Sequence, residues 1–180
     1  MQKRLLFNSK LLKITISRLC HHLIENHGDF SETVILGMQP RGIYLAERIK
    51  KGLQQELDKE VPTGYLDTTF HRDDFRRRVI PKTPNQTNVP FVIEDKKVIL
   101  IDDVLFTGRS VRAALDAMTM FGRPSKVELL VLIDRMYSRD VPVEANYIGR
   151  KVNTMPSQHV LVELEEQGKK DNIWLINDAE

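Results

Sequence analysis

Cysteine is almost absent from this sequence of 180 residues: Cys20 stands alone. One cysteine excludes an intrachain disulfide and a cysteine-ligated zinc site, and a reducing, cytoplasmic compartment is the expectation. No apolar run approaches the ~20 residues that span a bilayer, so no membrane partner is expected. The opening stretch MQKRLLFNSKLLK lacks a long apolar segment and a small-residue cleavage site, and is not expected to act as a signal peptide. Charge of one sign is lacking too. Lys and Arg number 27 against 25 Asp and Glu, and the net charge of +2 is too small to announce a nucleic-acid binder. Neither a P-loop nor a GxGxxG is present, and no internal repeat or low-complexity stretch is visible. What remains, 41% hydrophobic and 29% charged, is ordinary globular composition. Its length predicts a single domain over 1–180.

The first clear pattern is helical. Leu11, Leu12, Ile16, Leu19, Cys20, Leu23 and Ile24 recur near a 3.6-residue period; Asn8 or Ser9 can cap the start and Gly28 the end. The opposite face carries Ser17, Arg18, His21 and His22, and plain solvent exposure explains it as well as binding does. A short apolar run at 34–36 reads as a buried parallel strand, followed by a helix at about 43–57 and a strand at 61–70. Residues 71–95 break the pattern. They hold three of the chain's 8 prolines and little apolar periodicity, which predicts a long functional loop. Strand and helix signals resume at 97–101, 110–120 and 127–133. Such alternation predicts right-handed βαβ units. Beyond 141, short strand candidates at 147–148, 159–164 and 173–176 predict a small subdomain or extra strands over the carboxyl edge of the sheet.

The most informative run is VILIDDVLFTGRS, residues 98–110. Four apolar residues enter the core, and two carboxylates appear where the strand emerges. Ligands of open α/β sheets sit outside the carboxyl ends of the strands. Gly108 permits close backbone approach, and free N–H groups at a helix start favour phosphate. Thr107 and Ser110 add hydroxyls. Acceptors therefore lie beside donors, as a sugar phosphate requires. Receiver domains and aspartyl-phosphate phosphatases also place Asp at strand ends. The pair lies late in the chain for the first, and no D-x-D follows this strand for the second. Two aspartates that merely cap a helix are the bland alternative.

This run resembles the phosphoribosyl-pyrophosphate signature of type I phosphoribosyltransferases. Stretches at 16–25, 35–46, 67–75, 97–114, 122–134 and 145–149 extend the likeness over most of the chain. With the Arg72-Asp73-Asp74 run and the GMQPRG loop at 37–42, it is similar to the bifunctional pyrimidine-operon attenuators with uracil phosphoribosyltransferase activity. The resemblance implies a Rossmann-like α/β fold, a central, mostly parallel sheet flanked by helices. It adds a flexible lid at about 71–95 and a small hood at about 134–180. It implies Mg²⁺-dependent transfer of ribose 5-phosphate from phosphoribosyl pyrophosphate to uracil, giving UMP and pyrophosphate. Asp102 and Asp103 would bind the ribose hydroxyls and Mg²⁺. Val104, Leu105, Phe106, Thr107, Gly108, Arg109 and Ser110 would hold the 5′-phosphate. Arg41 and Gly42 would grip pyrophosphate, although Pro40 stands where relatives usually have another residue.

The same resemblance puts Arg72, Asp73 and Asp74 at the root of the lid, Arg72 among the catalytic residues, with Arg76, Arg77, Arg78 and Lys82 following. Transfer from an activated ribose passes through an oxocarbenium-like state that water would capture, so a closing lid fits the chemistry. Asp134 would lie near the acceptor base. Purine-salvage relatives place a lysine there, and the acid argues mildly against hypoxanthine or guanine. Ser17, Arg18 and His21 match helix residues that contact structured RNA, and a homo-oligomer, dimer or higher, is implied. After Asp134-Arg135, however, the run Met136-Tyr137-Ser138-Arg139-Asp140 is one residue longer than in relatives. Glu144 and Asn146 replace a basic residue and an Asp. Lost cations weaken phosphate contacts, so catalysis is the first reading. An RNA-binding regulator with little catalysis, or a purine-base phosphoribosyltransferase, is the alternative.

Overall fold

The computed structural model describes residues 2–72 and 86–178. Its elements are β1 (Gln2–Asn8), α1 (Ser9–His27), β2 (Thr33–Met38), α2 (Gly42–Leu57), β3 (Thr63–Leu66), β4 (Lys97–Leu105), α3 (Arg109–Met118), β5 (Lys126–Met136), β6 (Tyr147–Asn153), β7 (Gln158–Glu163) and β8 (Asn172–Asn177), joined in places by short 3₁₀ turns. Of the expected lid, Asp73, Asp74, Arg76, Arg77, Arg78 and Lys82 lie outside the described residues.

Five strands in the order β3-β2-β4-β5-β6 form one parallel sheet. Alternate residues of a strand leave opposite faces, and here both faces are covered. Ile35, Ile99, Ile101, Leu130 and Leu132 pack with Leu12 and Leu19 of α1 and Leu45 and Ile49 of α2. Val34, Leu36, Val98, Leu100, Leu129 and Val131 pack with Val111, Ala114 and Ala117 of α3. This is why β2, β4 and β5 carry nearly continuous apolar runs rather than alternating ones. Helix α1 starts where the Asn8 side chain accepts from the Leu11 amide at 2.9 Å. It ends where Gly28, at φ 57°, donates to the Ile24 carbonyl at 2.8 Å. No helix among the described residues is long and apolar enough to cross a membrane.

A second, antiparallel sheet has the order β1-β8-β7. Strand β1 departs from the sequence reading, which began at the helix. Only Leu6 and Phe7 of its seven residues are buried, so its sequence carries no alternation to read. The hood expected over 134–180 also divides differently. Strand β6 pairs parallel with β5 from Tyr147 opposite Leu130 to Asn153 opposite Met136, inside the main sheet. The small sheet instead takes its third strand from the N-terminal segment. The strand expected over 61–70 stops at Leu66. There the Asp67 carboxylate accepts from the Thr69 amide at 3.1 Å and the Thr69 hydroxyl at 2.7 Å, turning the chain. Strand β4 runs through the acidic pair to Leu105 rather than ending at Ile101, and the Gln39–Pro40 peptide is cis.

Candidate active site

A cleft of about 440 Å³ opens at the carboxyl ends of β2 and β4. Its lining comes from four places: Met38 at the end of β2 with Gln39, Pro40 and Arg41 beyond it; Thr68, Thr69 and Arg72 after β3; Asp102, Asp103 and Val104 on β4; and Ser110 at the start of α3. Gly42 lets the loop after β2 settle on β4. A Cβ there would lie 2.4 Å from the Ile101 carbonyl oxygen and 3.0 Å from the Asp102 Cα. No side chain larger than hydrogen fits.

The two aspartates differ in their partners. Asp102 Oδ1 accepts from the Asp103 backbone amide at 2.8 Å. Asp103, 8% exposed, has its Oδ2 2.9 Å from Arg41 Nε. Burial pushes both carboxyls above the ordinary carboxylate range. Repulsion from Asp103 raises Asp102 further, whereas Arg41 draws Asp103 back down. Arg41 also donates from Nη2 to the Val162 carbonyl of β7 at 2.6 Å, so it crosses from the main sheet to the small one.

The turn after β4 adds the donors. Gly108 sits at φ 85°, a left-handed conformation that favours glycine, and passes directly into α3. Arg72 donates to the Ser110 hydroxyl at 2.5 Å, bringing the root of the long loop onto this turn. An acidic pair thus faces a helix start whose N–H groups suit an anion, with Arg41 and Arg72 on either side. Among the described residues no group of three or more His, Cys, Asp and Glu could hold a metal. A Mg²⁺ bound mainly by substrate oxygens and water needs only one or two carboxylates, and Asp102 and Asp103 fit that donor set.

Arg41, Asp102, Asp103, Val104, Ser110 and Arg72 therefore converge on one cleft. Other expected site residues take different places. Leu105 is buried in the core against α3, so its side chain cannot touch a ligand in the cleft. Arg109 pairs with Asp140 at 2.8 Å. Phe106 lies under the Arg135 guanidinium, 3.7 Å from ring centroid to Cζ. Asp134, 5% exposed, is bound by Arg139. Ser17, Arg18 and His21 lie apart, with Ile14, His22 and Glu25, on the outer face of α1. Arg18 donates there to the Ile148 and Gly149 carbonyls at 3.2 and 2.8 Å. Sequence reasoning missed Thr68 and Thr69. The Asp67-Thr68-Thr69 run, which turns on its own side chains, was the available signal for both.

Comparisons with known proteins agree with this geometry. The family described as phosphoribosyl transferase domain matches residues 4–167. The bifunctional protein pyrR of Enterococcus faecalis strain OG1RF is 39% identical over 175 residues, 97% of each chain. The bifunctional protein PyrR of Ligilactobacillus salivarius is 41% identical over 172 residues, 94% of this chain and 96% of its own. That of Bacillus subtilis is 37% identical over 94% of each. Among solved structures, the hypoxanthine phosphoribosyltransferase of Trypanosoma cruzi superposes with a TM-score of 0.73 at 13% identity, covering 97% of this chain and 96% of that one. A hypoxanthine-guanine phosphoribosyltransferase of Bacillus anthracis gives 0.69 at 15% identity, over 98% and 99%; both likenesses speak to the fold alone. The family model and these relatives span nearly the whole chain, and the chain belongs to the phosphoribosyl transferase family, among the bifunctional PyrR proteins.

Proposed function

We propose that this chain transfers ribose 5-phosphate from phosphoribosyl pyrophosphate to uracil, forming UMP and releasing pyrophosphate. One observation carries the reading: Asp102 and Asp103 share a single cleft with Arg41, Arg72 and Ser110 at the start of α3. The carboxylates accept from the ribose 2′- and 3′-hydroxyls, which fixes the sugar's orientation. The N–H groups and hydroxyls of the turn take the 5′-phosphate. Arg41 and Arg72, flanking the pair, take the charge of the departing pyrophosphate. The bond from C1 of the sugar to pyrophosphate breaks as the bond to the base nitrogen forms, the proton of that nitrogen passes to the departing pyrophosphate, and the carboxylates stabilise the positive charge that develops on the ring. Mg²⁺ held beside Asp102 and Asp103 would add charge neutralisation at the phosphates.

The exposed face of α1, where Ser17, Arg18, His21 and His22 cluster, supports a second activity, the binding of structured RNA, in keeping with bifunctional relatives. The resemblance also implies a homo-oligomer, dimer or higher. A base-panel turnover assay tests the main reading. Phosphoribosyl pyrophosphate and Mg²⁺ are supplied with uracil, hypoxanthine or guanine, and pyrophosphate release is followed. Uracil should support turnover and the purines should not. Release driven by a purine alone would move the chain to another acceptor, and release by none would leave a regulator without catalysis.

A further inference from the structure

The segment between β5 and β6 is tied closely to the turn after β4. Arg139 is its hub. The guanidinium donates to the Phe106 carbonyl at 2.5 Å, the Arg135 carbonyl at 2.8 Å and the Val143 carbonyl at 3.1 Å, and it binds the Asp134 carboxylate. The next two residues continue the contact. The amides of Asp140 and Val141 donate to the Thr107 carbonyl at 2.9 and 3.3 Å, and Asp140 pairs with Arg109. The Val141 side chain closes on Gly108, where a Cβ would lie 2.7 Å from it.

Peptide geometry turns these contacts into a statement about the site. In a planar trans peptide the carbonyl of one residue and the N–H of the next point in opposite directions. Drawing the Phe106 and Thr107 carbonyls toward the segment therefore aims the Thr107 and Gly108 N–H groups away from it, and Val104 and Ser110, which flank these residues in the chain, line the cleft. We propose that Arg139 is a positioning residue for the phosphate end of the sugar substrate, acting through the Phe106 carbonyl to orient the amides that receive that phosphate. The inference rests on the phosphoribosyl reading above. Asp134 balances the charge of Arg139 and the guanidinium is committed to four oxygens, so its effect is geometric rather than a long-range attraction.

The test compares Arg139→Gln and Arg139→Lys with the unaltered protein, measuring equilibrium binding of ribose 5-phosphate and of pyrophosphate separately. Ribose 5-phosphate should bind about tenfold more weakly to both variants, the loss of one to two net hydrogen bonds. Pyrophosphate, which meets Arg41 and Arg72 instead, should bind all three proteins alike. In turnover, KM for phosphoribosyl pyrophosphate should rise while kcat stays within a few-fold. Full retention by Arg139→Lys would mean that bare charge suffices and would overturn the inference. Equal weakening of both ligands would also overturn it, since that is what general loosening gives. Where Arg139→Gln yields no folded protein, Asp140→Ala loosens the neighbouring tie between the same segment and the turn, through Arg109, with ribose 5-phosphate weakened about two- to fivefold and pyrophosphate unchanged; equal weakening of both there would overturn the inference. If the unaltered protein bound neither ligand, the phosphoribosyl reading would fall too; binding of both without separation in the variants would sink only the role of Arg139.

Discussion

Asp102 and Asp103 are neighbours held at a cost. Burial and repulsion from Asp103 push Asp102 well above its ordinary range, while Arg41 and hydrogen bonds partly relieve Asp103. A buried acidic pair kept in one cleft at such a cost is the mark of a candidate functional site. Asp102→Asn should therefore raise the melting temperature by a few degrees, about 1 kcal/mol, while activity falls. The Asp102→Asn, Asp103→Asn double variant should lose on the order of 10²-fold or more in kcat/KM, since a hydrogen bond to a charged group contributes about 1.5–3 kcal/mol. Calorimetry and pyrophosphate release check the two halves; a double variant that kept its turnover would remove these residues from the chemistry. At this scale the acidic pair was legible because it follows four apolar residues and precedes a glycine turn. Arg109 and Asp134 were placed in the site by motif alone. Their partners, Asp140 and Arg139, come from a segment whose path the sequence does not disclose.

The elements of the main sheet were legible for a related reason. Residues 34–36, 97–101 and 127–133 are apolar on both faces and are separated by helical periods, a combination that admits little but a covered parallel sheet. Strand β1 was not legible, because an edge strand that buries two of seven residues looks like a polar leader. Contacts distant in sequence fix the helices as firmly as the stripe does. His27, at the end of α1, has Nδ1 3.1 Å from the Thr33 hydroxyl. Its Nε2 lies 2.7 Å from Glu128 of β5 and 3.0 Å from the Tyr147 hydroxyl of β6. Glu128 favours the charged imidazole, but burial outweighs it and His27 titrates below its ordinary value. The unfolded chain then binds the proton first. Stability is full above the ordinary histidine range and declines as pH falls below about 6.5. Urea midpoints should drop between about pH 7 and 5 in the parent, and His27→Gln should flatten that slope. A midpoint that rose on acidification would mean that Glu128 wins.

Across the whole molecule, arginines bind the small sheet to the large one. Arg41 reaches Val162 of β7, and Arg150 of β6 reaches the Leu6 carbonyl of β1 at 2.9 Å. Arg48 of α2 grips Asp171 at 2.7 and 2.8 Å and Glu166 at 2.6 and 2.7 Å. Asp171 is almost fully buried and Glu166 is one-third exposed. Arg48→Ala should cost about 2–3 kcal/mol in urea denaturation, most of it from the stranded Asp171. Hydrogen bonds from Arg48 hold both carboxyls below their ordinary range. Their contribution is complete above about pH 4.5 and disappears as pH falls through the lower, folded-state values, a slope that Arg48→Ala should lack. The pairing of β1 with β8, from Gln2 opposite Asn177 to Asn8 opposite Asn172, reaches into synthesis. Strand β1 leaves the ribosome well before β8, its neighbour in the small sheet, and must wait for it. The wall that Val162 offers to Arg41 is completed only then, so a nascent chain arrested before β8 would carry the acidic pair with that wall unfinished.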